Sequence, residues 1–389
     1  MERVRWLCLL TAGMLLLTGC ATPAVTESDT SLIRPAPGSP TTESRPADAD
    51  EMRGVWLSYL DLDPLLKNAD PATAAERLDT VMDTCRAWGL NTVFFHVRAH
   101  ADAYYSSTVY PATGTVESLL TAGFDPLAYA VTAAHTRGLA LHAWINPYRI
   151  GNAAPDDTAG GAFQHNGVWY ADPSSDTTRK RVLDGVREIL QHYAVDGIHF
   201  DDYFYPSGLN VAGEEFEAVP AGITVGDWRR TQVDLLVSGV WGLAHRYGRV
   251  FGISPAGLPS TCRNAAYADV TGWMRQGGYI DYICPQIYFG FANQKHPYDA
   301  VLAEWLAMPR AAGVRLCVGL ALYKTGMTDD PYAGSGRAEW ATGQDILARQ
   351  VDAARDAGTD GFVLFRYQHL FSSPSAELQN LRRRLTAAP

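Results

Sequence analysis

From residue 53 onward, short apolar runs alternate with longer segments in which apolar positions recur every three or four residues. The short runs predict buried strands, and the three-to-four-residue spacing predicts amphipathic helices. The predicted strands are 54–59, 92–98, 140–146, 197–202, 250–255, 282–288, 315–322 and 361–366. The predicted helices are 72–88, 126–137, 176–193, 227–246, 265–277, 297–311, 343–357 and 374–385. Eight strands that alternate with eight helices predict an α/β fold, a parallel (β/α)8 TIM-type barrel.

Glycine residues mark the ends of most predicted helices. Six of them fall just after a helix and before a strand, where a left-handed backbone conformation commonly ends a helix. These residues are Gly89, Gly138, Gly248, Gly278, Gly313 and Gly358. An open, doubly wound sheet is the alternative, but no glycine-rich phosphate turn follows the first strand. The closed barrel is therefore the favoured fold.

Polar and aromatic side chains recur at every second position near the ends of several predicted strands. Alternate residues of a barrel strand face the lumen, and the chemistry of such barrels lies at the carboxyl ends of the strands. Because the intervening residues are apolar, the polar set predicts a site that faces the lumen. We expect substrate-binding roles for His96, Arg98, His142, Trp144, Asn146, His199, Gln286, Tyr288 and Arg366, together with Tyr203 after strand four.

Two adjacent carboxylates, Asp201 and Asp202, end the fourth predicted strand. Glycoside hydrolysis commonly uses two carboxyl groups about 5 to 9.5 Å apart. Asp201 has lumen-facing parity and is the first candidate for catalysis, while Asp202 reaches the cleft if the chain turns at the strand end. Asp102, in the loop after strand two, is a third catalytic candidate. The structural alternatives are a salt bridge from the pair to Arg98 or Arg366, and a loop cap at Asp102.

Aromatic residues are concentrated in the loops that follow the strands. Such rings suit stacking on the faces of sugars, so they favour a sugar-lined groove, although aromatic side chains also serve as core and loop anchors. They are Tyr104, Tyr105, Tyr110, Tyr148, Trp169, Tyr170, Tyr203, Tyr205, Tyr288, Phe289, Tyr323 and Tyr367.

The three histidines His96, His142 and His199 raise the alternative of a zinc centre, because imidazoles from neighbouring strands can bind zinc together with an aspartate. Histidines in hydrogen-bonded layers of the lumen are the favoured interpretation, and we predict neither a metal nor another cofactor. The chain has no Gly-x-Ser-x-Gly nucleophile elbow and no phosphate-binding loop.

The N-terminus has the features of an export signal. Arg3 and Arg5 precede an apolar segment at 6–17 that is too short to span a bilayer comfortably. The following sequence, Leu-Thr-Gly-Cys20, resembles the lipobox of bacterial lipoproteins, which implies cleavage after residue 19 and lipidation of Cys20. An ordinary cleaved signal or an uncleaved anchor is the alternative. Residues 20–49, rich in Pro, Ser and Thr, predict a flexible linker to a domain at 50–389. We therefore expect an exported lipoprotein held at a membrane surface by Cys20.

Charge and cysteine content narrow the partners further. The formal net charge of −10 argues against a nucleic-acid partner, because phosphate binding needs a basic face. Cys85, Cys262, Cys284 and Cys317 have neither CxxC nor zinc-finger spacing. We expect buried structural thiols, with a disulfide as the alternative in an oxidising compartment.

Five separated motifs resemble the glycosyl hydrolase-like 10 family. They are 51–56 (EMRGVW), 96–102 (HVRAHAD), 144–149 (WINPYR), 196–206 (DGIHFDDYFYP) and 285–288 (PQIY), and the resemblance covers about residues 50–370. Members of that family include exported lipoproteins, one of them a division-site glycosidase that cuts peptidoglycan strands stripped of peptides. The resemblance implies a TIM-type barrel, activity on bacterial wall glycans, and site positions at Arg98, Asp102, Asn146, Asp201, Asp202, Gln286 and Tyr288.

The fourth strand also looks like the strand-four motif of chitinase-type (family 18) enzymes. In that comparison His199 replaces the first strand acid and Tyr203 replaces the catalytic glutamate, while Asp201 stands where an aspartate orients the N-acetyl group of the substrate. Substrate-assisted hydrolysis, with Asp202 or Asp102 as proton donor, is one mechanism that this likeness implies.

The sequence therefore predicts a cell-envelope glycoside hydrolase that cleaves peptidoglycan strands or a related N-acetylhexosamine glycan. A non-catalytic glycan-binding barrel and a metal-dependent hydrolase are the alternatives.

Overall fold

A computed structural model describes residues 51–155, 160–371 and 375–386. Eight parallel strands close into a barrel, in the order β1-β11-β10-β9-β8-β7-β3-β2. The barrel strands are β1 (Met52–Leu57), β2 (Thr92–Arg98), β3 (Ala140–Ile145), β7 (Gly197–Phe200), β8 (Val250–Ile253), β9 (Tyr282–Ile283), β10 (Arg315–Leu320) and β11 (Gly361–Leu364). The predicted barrel is confirmed. The predictions for the signal segment, Cys20 and the linker lie outside the described residues.

Helices cover the outside of the barrel. They are α1 (Tyr59–Leu66), α2 (Pro71–Ala87), α3 (Glu117–Thr121), α4 (Pro126–His135), α5 (Asp176–His192), α6 (Val225–Arg246), α7 (Pro259–Asn264), α8 (Val270–Arg275), α9 (Tyr298–Leu306), α10 (Glu339–Thr342), α11 (Ile346–Asp356) and α12 (Ala376–Thr386). Short 3-10 turns lie at 322–324, 334–336 and 367–371. Among the described residues, no helix has both the length and the hydropathy needed to cross a bilayer.

The helix ends follow local chemistry. Asp70, Ser175 and Thr224 each accept a backbone N–H in the first turn of the helix that follows, which satisfies a donor that would otherwise lack a partner. The six glycines expected after helices all have positive φ, between 65° and 93°. A side chain would be strained in that conformation, so glycine is favoured where the chain leaves a helix and turns into the next strand.

The barrel lumen is packed with large side chains. Met52, Trp56, Phe94, Trp144, Tyr282, Cys284, Cys317 and Val363 form one buried cluster inside it. Gly252 on β8 makes room for this packing, because a Cβ there would lie about 2.1 Å from the ring of Tyr282. The four cysteines expected as structural thiols, Cys85, Cys262, Cys284 and Cys317, are free and buried.

Several elements differ from the expectation. The predicted helix at 265–277 is reduced to the short α8, and an unpredicted helix, α7, precedes it. The predicted strand at 282–288 contains only the two-residue β9, followed by single bridges from Gln286 to Ala256 and Gly319. A three-stranded antiparallel sheet was not predicted. Its strands are β4 (Arg149–Gly151), β5 (Ala162–His165) and β6 (Val168–Ala171), and it lies in the long connection after β3, at the carboxyl end of the barrel.

Candidate active site

A cavity of about 270 Å³ opens at the carboxyl ends of the barrel strands. All eight strands, or residues within a few positions after them, contribute to its wall, as expected for the working end of such a barrel. The lining residues are Trp56, Ser58, Tyr59, Leu60, His96, Trp144, Asn146, Arg149, Asp201, Asp202, Tyr203, Ser254, Gln286, Tyr288, Tyr323 and Phe365.

Asp201 lies directly after β7 and is held at both carboxylate oxygens. The indole N–H of Trp144 donates to Oδ2 at 3.1 Å, and the backbone N–H of Tyr203 donates to Oδ1 at 3.0 Å. Burial raises the pKa of Asp201 well above its usual range, and the charge of Asp202 raises it further, while these two donors act in the opposite direction. The donors favour the ionised form and fix the orientation of the carboxylate.

Asp202 is the second acid of the cavity and is only partly buried. The side-chain amide of Gln286 donates to its Oδ1 at 3.3 Å and to the backbone oxygen of Ser254 at 3.0 Å. Burial raises the pKa of Asp202 as well. Because the charge of Asp202 raises the pKa of Asp201, the two carboxyl groups do not ionise independently, and the pair holds a proton to higher pH than an isolated carboxyl does.

His96 and Trp144 form a stacked pair in the cavity wall, with ring centroids 3.6 Å apart and planes 8° from parallel. Asn146 lies within 3.2 Å of His96 Nε2 through its Oδ1, and its amide donates to the backbone oxygen of Ala99. Burial lowers the pKa of His96 well below its usual range, so the imidazole is neutral. These three expected residues therefore meet at the cavity, where they fix the indole that donates to Asp201.

Tyr203 and Tyr288 also line the cavity. The Tyr203 side chain is 42% exposed, and the guanidinium of Arg149 lies 5.2 Å from its ring centroid. The hydroxyl of Tyr288 is buried and has no hydrogen-bond partner among the described residues. An unpaired buried hydroxyl is costly, which is consistent with a partner that arrives with a substrate.

His142 and His199, two expected substrate-binding residues, are not among the residues that line the cavity. They lie in the barrel interior, where Tyr282 Oη is 2.9 Å from Nδ1 of each ring. The indole N–H of Trp56 donates to Nε2 of His199, so that nitrogen carries no proton. Burial lowers the pKa of His142 to about 4 and that of His199 well below its usual range. Both are neutral members of a buried hydrogen-bond network.

Arg98 and Arg366 do not contact Asp201 or Asp202, so the alternative of a salt bridge between these arginines and the paired acids is wrong. Arg98 donates to the backbone oxygens of Asn146 and Pro147, and Arg366 forms a buried ion pair with Asp61 at 2.6 Å. Neither guanidinium lines the cavity, so the structure gives both a role in holding loops rather than in contacting a substrate there.

Asp102 is separated from the other two acids. It lines a second cavity, of about 650 Å³, together with His100 and Arg181. Its Oδ1 is buried without a hydrogen-bond partner among the described residues, and it caps no helix there. The structure thus places Asp102 beside the cavity that holds Asp201 and Asp202 rather than in it.

A metal centre built on the histidines finds no support in the donor geometry. Within residues 51–155, 160–371 and 375–386, no group of three or more His, Cys, Asp or Glu side chains converges as metal ligands. The nitrogens of His199 are engaged by Trp56, Ser254 and Tyr282.

Several cavity residues were missed from the sequence. Trp56, Ser58, Tyr59, Arg149, Ser254 and Phe365 line it without having been expected there. Arg149 ends one of the quoted motifs, and Trp56 ends another, so the motifs contained a signal. Ser254 lies within the predicted strand 250–255, but it was not selected because the residues before it are apolar or glycine.

Comparison with known proteins shows the family of the chain. The profile of the family described as Glycosyl hydrolase-like 10 matches residues 51–333. The chain is 30% identical to the glycosyl hydrolase DigH of Escherichia coli K12, over 93% of this chain and 92% of DigH. It is 31% identical to the glycosyl hydrolase YngK of Bacillus subtilis, over 87% of this chain and 72% of YngK.

Two solved structures share the fold at low sequence identity. The glycoside hydrolase domain of PgaB (BpsB) from Bordetella bronchiseptica has a TM-score of 0.56 at 13% identity, covering 87% of this chain and 100% of that one. The catalytic domain of β-amylase from Paenibacillus polymyxa has a TM-score of 0.54 at 14% identity, covering 87% and 98%. Because the family profile spans most of the chain and DigH is similar along 92% of its length, this protein belongs to the glycosyl hydrolase-like 10 family and is a glycoside hydrolase on a (β/α)8 barrel.

Proposed function

We propose that the protein hydrolyses the glycan strands of peptidoglycan, or a related N-acetylhexosamine glycan, by carboxylate acid–base catalysis. The observation that carries this proposal is the pair Asp201 and Asp202, both with raised pKa, in a cavity walled by aromatic rings at the carboxyl end of the barrel. Aromatic walls suit the apolar faces of sugars, and two carboxyl groups suit the cleavage of a glycosidic bond. The wall glycan as substrate is the expectation that the sequence motifs carry.

We assign different roles to the two acids on the basis of their hydrogen bonds. Burial raises the pKa of Asp201 well above its usual range, but both of its oxygens accept N–H groups, from Trp144 and Tyr203, and these donors oppose the effect of burial. A carboxylate held at both oxygens suits a nucleophile or a group that orients the N-acetyl of the substrate. Asp202 accepts one amide, from Gln286, at Oδ1 only, so its other oxygen can carry the proton. We therefore assign proton donation to the leaving oxygen to Asp202. Asp102, in the adjoining cavity, is the alternative donor.

Purified full-length protein in detergent, incubated with peptide-free glycan strands and with intact peptidoglycan, tests the proposal. Released saccharides would be identified by mass. We expect product from the wild type and a loss of at least about 100-fold in rate for Asp201→Asn and for Asp202→Asn, the size of an acid–base contribution. Asp356→Asn is the matched control, because Asp356 is exposed at the end of α11 and does not line the cavity.

The outcomes separate the assignments. A greater loss for Asp102→Asn than for Asp202→Asn would move the proton donor to the adjoining cavity. Azide restores rate to a variant that lacks its acid or its nucleophile, and the anomer of the glycosyl azide formed distinguishes the two roles. Full activity in the double variant of Asp201 and Asp202, or glycan binding without any product from the wild type, would refute the proposed chemistry.

We further propose that the chain is exported and anchored by a lipid at Cys20, on the basis of the N-terminal sequence. Membrane fractionation and mass measurement of the mature N-terminus test this. Cys20→Ser is expected to abolish the lipid-modified form, whereas Cys8→Ser, the same change within the apolar segment, is expected to leave it intact. A lipid-free mature form in the wild type would contradict the proposal.

A further inference from the structure

The second cavity adjoins the one that holds the paired acids. Tyr59 and Arg149 line both, so the two spaces meet at these side chains. With a volume of about 650 Å³, the second cavity is the larger of the two and lies in the usual range for a ligand site. A glycan bound across the acids therefore has space for further sugar units on this side.

Arg149 occupies the junction, and its guanidinium forms no direct ion pair with any of the described residues. It begins β4, and its pairing with Tyr170 on β6 fixes its backbone. The guanidinium lies 5.2 Å from the ring centroid of Tyr203, yet in the described part of the chain it makes no ion pair within 4.0 Å and no hydrogen bond. A cation positioned by a ring but left without an anion is suited to bind one that arrives from outside.

The influence of Arg149 extends into both cavities. Burial is the main influence on the pKa of Asp201 and of His100, raising the first and lowering the second. The positive charge of Arg149 lowers both pKa values, so the guanidinium acts electrostatically on Asp201 on one side and on His100 on the other. An anion bound at Arg149 would therefore lie within electrostatic reach of the reacting groups.

The remaining polar groups of the second cavity suit a sugar. Oδ1 of Asp102 is buried and has no hydrogen-bond partner in the described residues, so it can accept a hydroxyl or an amide N–H. Tyr59 presents an aromatic ring beside His100, with centroids 5.1 Å apart. One unpaired acceptor, one ring and one unpaired cation are what a sugar unit with an acidic substituent needs.

We propose that the second cavity binds the sugar unit next to the cleaved bond, and that Arg149 binds a carboxylate carried by the glycan. This inference rests on the proposed function, because it specifies the charge of the glycan that the same site would bind. The planar guanidinium can grip a carboxylate with two parallel N–H donors. Arg149 thus acts as a specificity residue that favours acidic over neutral N-acetylhexosamine polymers.

The test pairs a change in the enzyme with a change in the substrate. Peptide-free wall oligosaccharides carry a free carboxylate on each muramic acid, and coupling with methylamine converts these to neutral methylamides of nearly the same shape. Steady-state rates on both substrates would be measured for the wild type, Arg149→Gln, Arg149→Lys and Arg246→Gln. Arg246, exposed at the opposite end of the barrel, is the matched control.

We expect Arg149→Gln to raise KM for the carboxylate substrate about tenfold or more, and to leave KM for the methylamide within about twofold. Arg149→Lys keeps the charge but loses the paired donors, so its KM is expected to lie between those of the wild type and the glutamine variant. Arg246→Gln is expected to behave as the wild type on both substrates.

Other outcomes would overturn the inference. If Arg149 acts only through the pKa of Asp201, the glutamine variant shifts the pH profile of kcat equally on both substrates, and the lysine variant resembles the wild type. If the wild type cleaves neither substrate, the proposed function fails instead. Calorimetric binding of the two oligosaccharides then still tests Arg149, and equal affinity for both would refute its role.

Discussion

Trp144 connects the aromatic wall of the cavity to the more buried acid, so replacing it with phenylalanine tests how Asp201 is prepared. The change removes the indole N–H that lies 3.1 Å from Asp201 Oδ2 but keeps a ring that can stack on His96. A hydrogen bond to a charged group contributes about 1.5–3 kcal/mol, and at full effect on the transition state this corresponds to a fall of roughly 10- to 150-fold in kcat.

The pH dependence gives the same test a direction. The Trp144 N–H lowers the pKa of Asp201 against the larger effect of burial, so removing it raises that pKa further. Since the proposed role needs Asp201 ionised, activity rises as pH increases through this pKa. The acidic limb of the kcat profile is therefore expected to move to higher pH in Trp144→Phe.

The assay is the release of saccharides from peptide-free glycan strands, measured across pH for the wild type and the variant. Trp88→Phe, at a buried tryptophan after α2 outside the cavity, controls for the general effect of losing an indole. An unchanged kcat and an unshifted acidic limb in Trp144→Phe would show that the N–H does not prepare Asp201, and the reasoning would be refuted.

Three further predictions concern stability, each measured by thermal or urea unfolding. Burial raises the pKa of Asp234 to about 6. Between the usual pKa of an aspartate and that value, the folded state holds a proton that the unfolded state has lost, so the free energy of unfolding falls as pH rises. Asp234→Asn should therefore stabilise the protein by up to roughly 3 kcal/mol near pH 8 and by little near pH 3.5, and an equal gain at both pH values would contradict this. Asp330→Leu leaves the buried ammonium of Lys324 without its carboxylate and should lower the free energy of unfolding by about 3–5 kcal/mol. Adding Lys324→Met should reduce this loss, and losses that simply add would show that the two side chains do not interact. Gly252→Ala forces the ring of Tyr282 to move and should cost about 1–3 kcal/mol, so an unaltered midpoint would show that the lumen is looser than its packing indicates.

The order of elements was predictable because it is carried by local patterns. Buried strands are short apolar runs, and the helices that cover them bury one face, so both periods appear in the sequence. The glycines after helices add an independent signal, and all six have the positive φ that the prediction implied. The elements that were not predicted lie where pairing between strands, rather than the spacing of apolar residues, decides the structure. The small β4–β6–β5 sheet is one of them, because hydrogen bonds between strands of the same loop hold it together.

The sequence predicted which side chains face the barrel lumen, but not how deep in the lumen each of them lies. Alternation along a strand shows which side chains face the lumen, but the tilt and stagger of the strands decide how deep each one lies. His96 and His142 both face inward, yet the first lines the cavity and the second lies in the barrel interior bonded to Tyr282. Arg366 likewise ends a strand, but the buried carboxylate of Asp61, on an unpredicted helix, binds it instead.

The proton positions in the barrel interior follow from these bonds. The Trp56 N–H can only donate, so Nε2 of His199 accepts it and the proton of this neutral ring is on Nδ1. That Nδ1–H donates to Tyr282, whose hydroxyl then donates to Nδ1 of His142. The Trp56 N–H, which can only donate, therefore determines the tautomers of His199 and His142 and the direction of the Tyr282 hydroxyl.

The same network continues towards the proposed catalytic pair, Asp201 and Asp202. Nε2 of His199, which accepts the Trp56 N–H, also lies 3.1 Å from the hydroxyl of Ser254, the residue directly after β8. The backbone oxygen of Ser254 accepts the amide of Gln286, and this amide is the group that donates to Asp202. His199 therefore connects the barrel interior to the residue that supports Gln286. In the proposed mechanism this support limits the reorganisation of Asp202 when charge develops at the glycosidic bond.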